Sequence, residues 1–578
     1  MIKILNFLIS ILIAGVFMSG IGNAYLSVEG NKVIGSDSNA ITLKGFAVDN
    51  GLFSKWDSKK EEMVMIEDSD EVEWSLKEDD VEKIRGLGAN VVRYCINIER
   101  FSYDNPNRDK NFKIFERHLK WLKKNHIYVI VNLHVPPGYT NTIRGTEDSI
   151  FESKDNWDKF VGFWKEFIGR YKKEKWIAGW ELFNEPQIPE GMTNATWNDK
   201  VGKLLKDLRT IDRNHIFFIS NPEAKVINRD QNGLHHVDWN FIPLVKYDDP
   251  NIVYVFHFYH PTLFTQQGVF SDIMGVEFPF EEIKNQKWIS NSEARFQKEE
   301  NGWFYFATEA VSPPSGADTV FGSPYFSVSR GEGKLYADDM KLYEIDPAGN
   351  RKELPLPNRS FKPELPDFLK DKDPWWNFYN REKYLYWYTY FPDKYETPRD
   401  KALDPVYIYE TTHGFADAYS VSISNLYFQY ANWMPLPSQF YIKPLPGYKY
   451  QIEGWLSDKD RAHIGISWSS GDLVVHDKEE LAKLIFERYV LFAEENNVPL
   501  FCTEFGSSGF ADIKSRVKWT KDMLEIFDQN GISYTYWDYN GSWAWGFNFG
   551  LYLKDTFDLN QSFHQYDPLI DALKSDFK

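Results

Sequence analysis

Eight short runs of β-branched and aromatic residues, most of them ending in polar residues, constrain the fold of this chain more than any other feature. They begin at Ile41, Ala89, Ile127, Ile177, Ile216, Asn251, Pro499 and Ile532. Near-continuous apolar runs are typical of parallel strands buried on both faces. Most of these runs alternate with amphipathic helical patterns, such as the apolar stripe after Asn156. Eight strand-helix units predict an α/β fold, a (β/α)8 TIM barrel, whose functional residues lie at the carboxyl ends of the strands.

The spacing of the runs is uneven at one point. More than 230 residues separate the sixth run from the seventh, whereas the other units take about 35 to 60 residues. We expect an inserted domain between strand 6 and strand 7, at residues 291–471. Its alternating apolar and polar residues predict an all-β sandwich. The barrel would then comprise residues 25–290 and 472–578, and a helix from Asp477 would lead back into it.

The N-terminus resembles a signal for export. Lys3 precedes an apolar run from about Ile4 to Met18, and small residues end at Ala24. This pattern predicts a signal peptide over residues 1–24 and a secreted mature chain, extracellular or periplasmic. A membrane anchor is the weaker alternative because the apolar run is short. We expect no membrane span in the mature chain.

Charge and composition exclude some partners. The 84 acidic and 66 basic residues give a formal charge of −18, so nucleic acid and anionic membranes are poor partners. Aromatic residues make up 17% of the chain. They suit either stacking on a neutral, hydroxyl-rich ligand such as a sugar or ordinary core packing. Cys95 and Cys502, the two cysteines of the sequence, are expected to be buried free thiols rather than a disulfide framework.

Polar residues at the ends of several strands would converge on one cleft. They are Arg93, His134, Asn184, Glu185, His257, Tyr259, Glu504 and Trp537. Hydrolysis of a glycosidic bond needs two carboxyl groups that flank it. Glu185 and Glu504 fit this requirement because strands 4 and 7 approach a barrel cleft from opposite sides. Asn184 could bind a sugar hydroxyl.

The neighbours of these two glutamates have expected roles as well. Arg93 and Tyr259 would keep Glu504 ionised and oriented. Trp537 offers a ring face on which a pyranose could stack. Glu181 lies four residues before Glu185, and we expect it to have a structural role in the barrel.

Several motifs resemble glycoside hydrolase family 5. They are ELFNEP, a later TEFG, VVRYCIN, NLH, HFY and YTYWDYNG, in an order that matches the strands. The resemblance implies that Glu185 is the acid/base and Glu504 the nucleophile of a retaining double displacement that needs no metal or other cofactor. Arg93, His134, Asn184, His257, Tyr259 and Trp537 would support them.

FHFYHPTLFTQQG resembles the form found in endo-acting, cellulase-like members of the family. His260 and Gln267 would then reach the substrate. No metal site is expected, because the sequence supplies no Cys or carboxylate cluster beside His257 and His260.

The insertion resembles a carbohydrate-binding jelly roll. KLYADDMKLYEID is similar to the last strand of such domains, and DAYSVSISN and PGYKYQIEGWL are similar to early strands. The reversed order predicts a circularly permuted jelly roll. An aromatic run at residues 375–391 is either a sugar-stacking platform or packing against the core and the barrel. Asp338 and Asp339 alone do not specify a calcium site.

The leading functional prediction is a secreted, retaining β-glycosidase similar to endo-β-1,4-glucanases, acting on an oligo- or polysaccharide. A β-mannanase, or a β-glycosidase that acts on a smaller glycan or a glycolipid, is the alternative within enzymes. An inactive carbohydrate-binding protein on a barrel scaffold is the alternative from another class.

Overall fold

The structure is a computed structural model. It describes residues 25–48, 54–57, 62–65, 74, 76–138, 149–186, 192–222, 224–229, 235–240, 242–267, 276–315, 320–356, 387–390, 407–410, 414–415, 420–435, 440–509, 511–539, 549–554, 563–565 and 567–577. The predicted signal peptide and most of the aromatic run at 375–391 lie outside these residues. In the part of the chain so described, no helix is long and apolar enough to cross a membrane.

Eight parallel strands close into a barrel and confirm the predicted fold. They are β1 (Lys44–Val48), β2 (Val91–Asn97), β3 (Tyr128–Val135), β4 (Ile177–Glu181), β5 (Ile216–Ser220), β6 (Ile252–Phe258), β7 (Leu500–Phe505) and β8 (Ser533–Tyr536). Each strand pairs in parallel with the next, and β8 pairs with β1. All eight carboxyl ends therefore face the same mouth of the barrel.

Helices follow most of the strands and pack around them. The longer ones are Glu78–Leu87, Arg108–Lys124, Lys154–Tyr171, Asn194–Arg209, Lys478–Ile485, Leu491–Asn496, Ile513–Gln529 and Asp567–Asp576, with a π-helical turn at Phe486–Val490 and short turns at Ile98–Phe101, Ser149–Glu152 and Thr262–Thr265. The helix Lys154–Tyr171 shows why they form. The Ser153 hydroxyl accepts a hydrogen bond from the Asn156 N–H, and most of the predicted stripe, including Trp164 and Phe167, is buried.

Four two-stranded hairpins lie outside the barrel ring. They pair Ser27–Glu29 with Lys32–Ile34, Ser54–Asp57 with Glu62–Met65, Ala224–Arg229 with His235–Asn240, and Tyr552–Lys554 with Phe563–Gln565. None of these pairs adds a strand to the closed barrel among the described residues.

Alternation along the strands divides the barrel side chains into two sets. Val91 packs in an apolar cluster inside the barrel, whereas Val92 packs in the larger cluster shared with the helices. Because strand side chains alternate with a period of two, Arg93 also points into the barrel, one layer above Val91. His257 takes the same position above Val255 on β6. The barrel interior is therefore apolar at one end and polar at its mouth.

Bulges in β4 and β7 change this alternation. On β4 the pairing with β3 shifts by one residue at Ala178, so that Ala178 packs inside the barrel but Trp180 packs towards the helices. On β7 the pairing with β6 skips Thr503, and Cys502 packs towards the helices. A bulge of this kind re-aims the side chains that follow it. Glu181 and Glu504 therefore both face the barrel interior.

In the described part of the inserted domain, ten strands form one antiparallel sheet. They are Phe280–Glu293, Arg295–Glu300, Trp303–Ala307, Val320–Ile345, Arg351–Leu354, Trp387–Tyr390, Tyr407–Glu410, Ser420–Pro435, Lys449–Leu456 and Ala462–His476. The long strand Val320–Ile345 pairs with Ala462–His476 in its first half and with Lys449–Leu456 in its second half. The expected two-sheet sandwich is thus joined into a single sheet around one apolar core, which includes Phe326 and Ile464.

The insertion leaves the barrel after β6 and returns before β7, as predicted. The start of its first strand lies beside the end of its last strand, because Phe280 pairs with His476. The sheet extends beyond the predicted limits of 291–471 at both ends. The alternation near Phe280 is weaker than in the central strands, which is why the pattern alone placed the start later. Cys95 and Cys502 are buried free thiols.

Candidate active site

Arg93 is the centre of the polar group at the barrel mouth. Its guanidinium is fully buried and donates to both oxygens of Glu181, from Nε at 2.6 Å and from Nη2 at 2.9 Å. Nη1 donates to Glu504 Oε1 at 2.5 Å, and Nη2 also donates to Asn184 Oδ1 at 2.8 Å. One cation thereby links β2 to β4, to the turn after β4 and to β7.

Glu504 accepts a second hydrogen bond from a residue that directly follows β6. The Tyr259 hydroxyl donates to Glu504 Oε2 at 2.9 Å, and His257 Nδ1 lies 3.5 Å from the same oxygen. The side chain of Glu504 is only 5% exposed. Burial raises the pKa of its carboxyl group, while His257, Arg93 and the hydrogen bond from Tyr259 lower it. Arg93 and Tyr259 lower the pKa of Glu504, but the effect of burial is larger, so this pKa is raised overall.

Glu185 lies opposite Glu504, in the turn after β4. Its Oε1 atom is 2.8 Å from His257 Nδ1, and its side chain is 21% exposed, more than that of Glu504. One carboxylate oxygen of Glu185, one of Glu504 and one ring nitrogen of His257 all lie within 4.8 Å of one another. β4 itself ends at Glu181, so Glu185 lies beyond the strand and strand alternation does not set its direction. The turn brings Glu185 to the cleft.

His257 is charged and His134 is neutral at neutral pH. Burial lowers the pKa of His257, but Glu504 and then Glu185 outweigh burial and raise that pKa to about 9. Burial, with the charges of Arg93 and His257, lowers the pKa of His134 well below its usual range. His257 can therefore donate to Glu185 as a cation.

The remaining predicted residues form one wall of the cleft. His134 Nδ1 lies 3.2 Å from Asn132 Oδ1, and its Nε2 lies 3.4 Å from Asn184 Nδ2. The Trp537 ring stacks on His134, with ring centroids 5.2 Å apart and planes at 15°. Sequence reasoning missed Asn132, although it lies two residues before His134 on β3 and so shares its face.

His260 and Gln267 are not part of this group. Gln267 is fully buried. Its amide donates to the carbonyls of Phe264 and Val276 and accepts from the Val276 N–H. It closes a loop, and the expectation that it reaches substrate is corrected, because the side chain is fully buried and both amide N–H groups are taken by backbone carbonyls. His260 Nε2 pairs with Glu480 Oε1 at 2.8 Å instead.

The two aspartates of the insertion are engaged by the protein itself. Asp338 is buried and accepts hydrogen bonds from the N–H groups of Asp339 and Phe415. Asp339 pairs with Lys341 at 2.6 Å. These contacts give no support to a calcium site there.

Comparison with known proteins identifies the family. The sequence profile described as Cellulase (glycosyl hydrolase family 5) matches residues 58–310 and 467–542, which is more than half of the chain. The chain belongs to glycosyl hydrolase family 5. The part of this family 5 protein between the two matched segments, residues 311–466, is most of the inserted sheet.

Curated relatives of this family 5 protein are distant. A β-xylosidase from Phanerodontia chrysosporium is 28% identical over 224 residues, which cover 34% of this chain and 46% of the relative. Endoglucanase C from Acetivibrio thermocellus is 27% identical over 195 residues, which cover 33% of this chain and 52% of the relative. The matches thus span about half the length of these relatives. The crystal structure of an endoglucanase from Thermotoga maritima is 15% identical, with a TM-score of 0.42 and coverage of 92% of this chain and 96% of that chain.

Proposed function

We propose that this family 5 protein is a secreted, retaining β-glycosidase that cleaves a β-1,4-linked glucan, or a related β-linked polysaccharide, at internal bonds. The observation that carries the proposal is the pair Glu185 and Glu504, with carboxyl oxygens within 4.8 Å of each other. Retaining enzymes place their two carboxyl groups about 5 to 5.5 Å apart, whereas inverting enzymes need about 6.5 to 9.5 Å to admit a water.

In the first step, Glu504 is the nucleophile. Its carboxylate forms a bond to the anomeric carbon, and Glu185 gives a proton to the departing glycosidic oxygen. The contacts from Arg93 and Tyr259 support this role, because they orient Glu504 with one oxygen on each donor. The products are a glycosyl-enzyme ester and a free hydroxyl end.

In the second step, Glu185 acts as the base. It takes a proton from water, the water oxygen bonds to the anomeric carbon, and the Glu504 carboxylate departs. His257 supports the change of role, because it lies against both carboxylates and can share its charge with whichever of them is negative. The net reaction adds one water across one glycosidic bond.

A polysaccharide panel tests the substrate. Carboxymethylcellulose, mixed-linkage glucan, glucomannan, xylan and laminarin would be scored for reducing ends and product length. Xylan and an aryl β-xyloside are included because one relative is named a β-xylosidase. We expect early products of mixed length from a β-1,4-glucan, as internal attack requires. Release of single sugars alone would contradict internal attack, and no release from a folded protein would contradict the polysaccharidase proposal.

Variants of the two glutamates test the mechanism. Glu504→Gln should lower turnover by at least about 10³-fold while sugar binding persists. Glu185→Ala with an activated aryl glycoside and azide should give a glycosyl azide of retained configuration, since azide replaces the water that needs the base. Glu495→Gln, at an exposed helix position, is the control. Unchanged turnover in Glu504→Gln would instead favour a binding protein.

Secretion is supported by the N-terminal pattern of Lys3, the apolar run and Ala24. Expression of the chain with residues 1–24 should release a protein whose first residue is Tyr25. N-terminal sequencing of the exported chain checks this, and retention of Met1 on a cell-bound chain would contradict it.

A further inference from the structure

A second group of histidines and carboxylates lies where the inserted sheet joins the barrel. His260 follows β6, Glu282 lies on the first strand of the insertion, His476 ends the last strand, and Glu480 lies in the first turn of the next helix. We call these four residues the root cluster.

Three possible metal-ligand atoms of the root cluster lie close together. His260 Nε2 lies 2.8 Å from Glu480 Oε1, and His476 Nδ1 lies 3.0 Å from Glu480 Oε2. Atoms from all three residues lie within 4.8 Å of one another. Ligand atoms of a tetrahedral zinc ion, with bonds of 2.0 to 2.2 Å, are about 3.4 Å apart. Small side-chain rotations would therefore bring this donor set to the required spacing.

Glu282 prepares His476 for such a role. Its Oε2 atom lies 2.9 Å from His476 Nε2 and can accept a hydrogen bond from that nitrogen, so that Nδ1, which faces Glu480, is the nitrogen that a metal ion would bind. In the ion-free protein a proton on Nδ1 bridges the 3.0 Å to Glu480, and a metal ion would bind in exchange for that proton. A carboxylate that holds the second nitrogen of a metal-binding histidine is a recurrent feature of zinc sites.

The ligand types select the class of ion. Two imidazoles and a carboxylate suit zinc and similar transition metals, whereas calcium and magnesium prefer oxygen ligands alone. His476 is 1% exposed, but His260 and Glu480 have side chains that are 23% and 20% exposed. Solvent can therefore reach the cluster, and an ion has a path into it.

We propose that His260, His476 and Glu480 bind one divalent transition-metal ion of the zinc class, with Glu282 as the residue that positions His476. Sequence patterns did not indicate this site, because His476 and Glu480 lie more than 200 residues from His260. The ion joins the loop after β6 to the last strand of the insertion and to the helix that leads to β7. It therefore fixes the insertion next to Tyr259, the partner of Glu504.

Zinc titration of the chelator-treated full chain tests the proposal. Calorimetry should give one zinc ion per chain, and cobalt should give the visible absorption of a four-coordinate site. His260→Asn and His476→Asn should each weaken binding by at least about 100-fold, and Glu282→Gln by about 10- to 100-fold. Glu479→Gln, the exposed neighbour of Glu480, should bind as the unchanged protein does.

One further variant separates the root cluster from the active site. Glu185, His257 and Glu504 also bring three donor atoms within 4.8 Å, so Glu504→Gln must keep the zinc stoichiometry and affinity. Circular dichroism verifies that each variant is folded. If His476→Asn does not fold, His260→Asn, which changes a partly exposed loop residue, provides the test of zinc binding. Absence of stoichiometric binding, or binding that is lost in Glu504→Gln but kept in His260→Asn, would overturn the proposal.

Discussion

Arg93 is a single buried cation that faces two carboxylates. Glu181 takes two of its N–H groups and Glu504 takes a third. A buried guanidinium needs such partners because the desolvation of an unpaired charge is costly. We expected a structural role for Glu181, and the structure shows the contact that it makes: it shares Arg93 with the proposed nucleophile.

Removing the charge of Glu181 should therefore affect both stability and acidity. In Glu181→Gln, Arg93 keeps Glu504 as its only charged partner among the described contacts. We expect unfolding to become easier by about 3 to 5 kcal/mol. The acidic limb of kcat/KM should move to lower pH, since Arg93 then acts more strongly on Glu504. Thermal unfolding and a pH profile measure the two effects. A stability loss with an unmoved acidic limb would show that Glu181 acts on folding alone.

His257 carries a pH dependence of its own. Its pKa rises from 6.5 to about 9 in the folded protein, so its contribution to stability is complete below pH 6.5 and disappears as the pH rises through 9. That contribution is on the order of 3 kcal/mol. We expect the stability of the unchanged protein to fall between these pH values, and the alkaline limb of activity to lie near 9.

The comparison is with His257→Gln. In this variant the loss of folding stability that His257 causes should be absent when urea unfolding is measured at pH 6 and pH 9.5. His463→Gln, in the inserted sheet, controls for the number of histidines. An equal fall in all three proteins would assign the effect to other groups.

At the scale of elements, the barrel strands approach one another closely at glycines. A Cβ atom on Gly179 of β4 would lie 2.1 Å from the Ile216 carbonyl oxygen of β5. Backbone cannot yield as a flexible side chain can, so a methyl group there would separate the two strands. Gly179 also lies beside the bulge that turns Glu181 inward.

Gly179→Ala should therefore lower the melting temperature and the activity together, with a destabilisation of about 1 to 3 kcal/mol from overpacking. Gly162→Ala is the matched control. It lies on the exposed side of the helix Lys154–Tyr171 and has no atom within 4 Å of an added Cβ, so it should stabilise the protein by about 0.5 to 1 kcal/mol. Equal effects in the two variants would contradict the role of close strand packing.

At the scale of the whole molecule, the barrel and the insertion have separate apolar cores. The ends of the insertion meet, since Phe280 and His476 are paired across antiparallel strands, at a Cα separation of about 5 Å. A loop insertion with adjacent ends leaves the surrounding fold intact. The residues of the proposed active site all come from the barrel.

Replacing residues 281–475 with an Asn-Gly turn should thus leave a folded barrel. We expect it to hydrolyse an aryl β-cellobioside within an order of magnitude of the full chain, because Glu185 and Glu504 remain. Far-UV circular dichroism and initial rates provide the measurement. A larger loss on polysaccharide than on the aryl substrate would assign substrate binding to the insertion, whereas an unfolded product would show that the barrel depends on it.

Eight strands, their order and the position of the insertion could be predicted because they depend on local patterns. Apolar runs define buried parallel strands, and the change to alternating residues marks the insertion. Glu185 and Glu504 were found by the resemblance of ELFNEP and TEFG to a family. Gln267 was misassigned for a physical reason: the sequence does not show whether an amide is satisfied by its own loop.

The apolar pattern predicts the barrel, and the motifs predict the two glutamates at its mouth with the aromatic and histidine residues around them. The direction in which several of these side chains face depends on the tertiary structure. Strict alternation would direct Glu504 to the same side as Cys502, and the bulge at Thr503 reverses this because β7 must pair with both β6 and β8. The tertiary structure also brings His476 and Glu480 to His260, since contacts across such distances in the chain arise from closure of the barrel around the ends of the insertion.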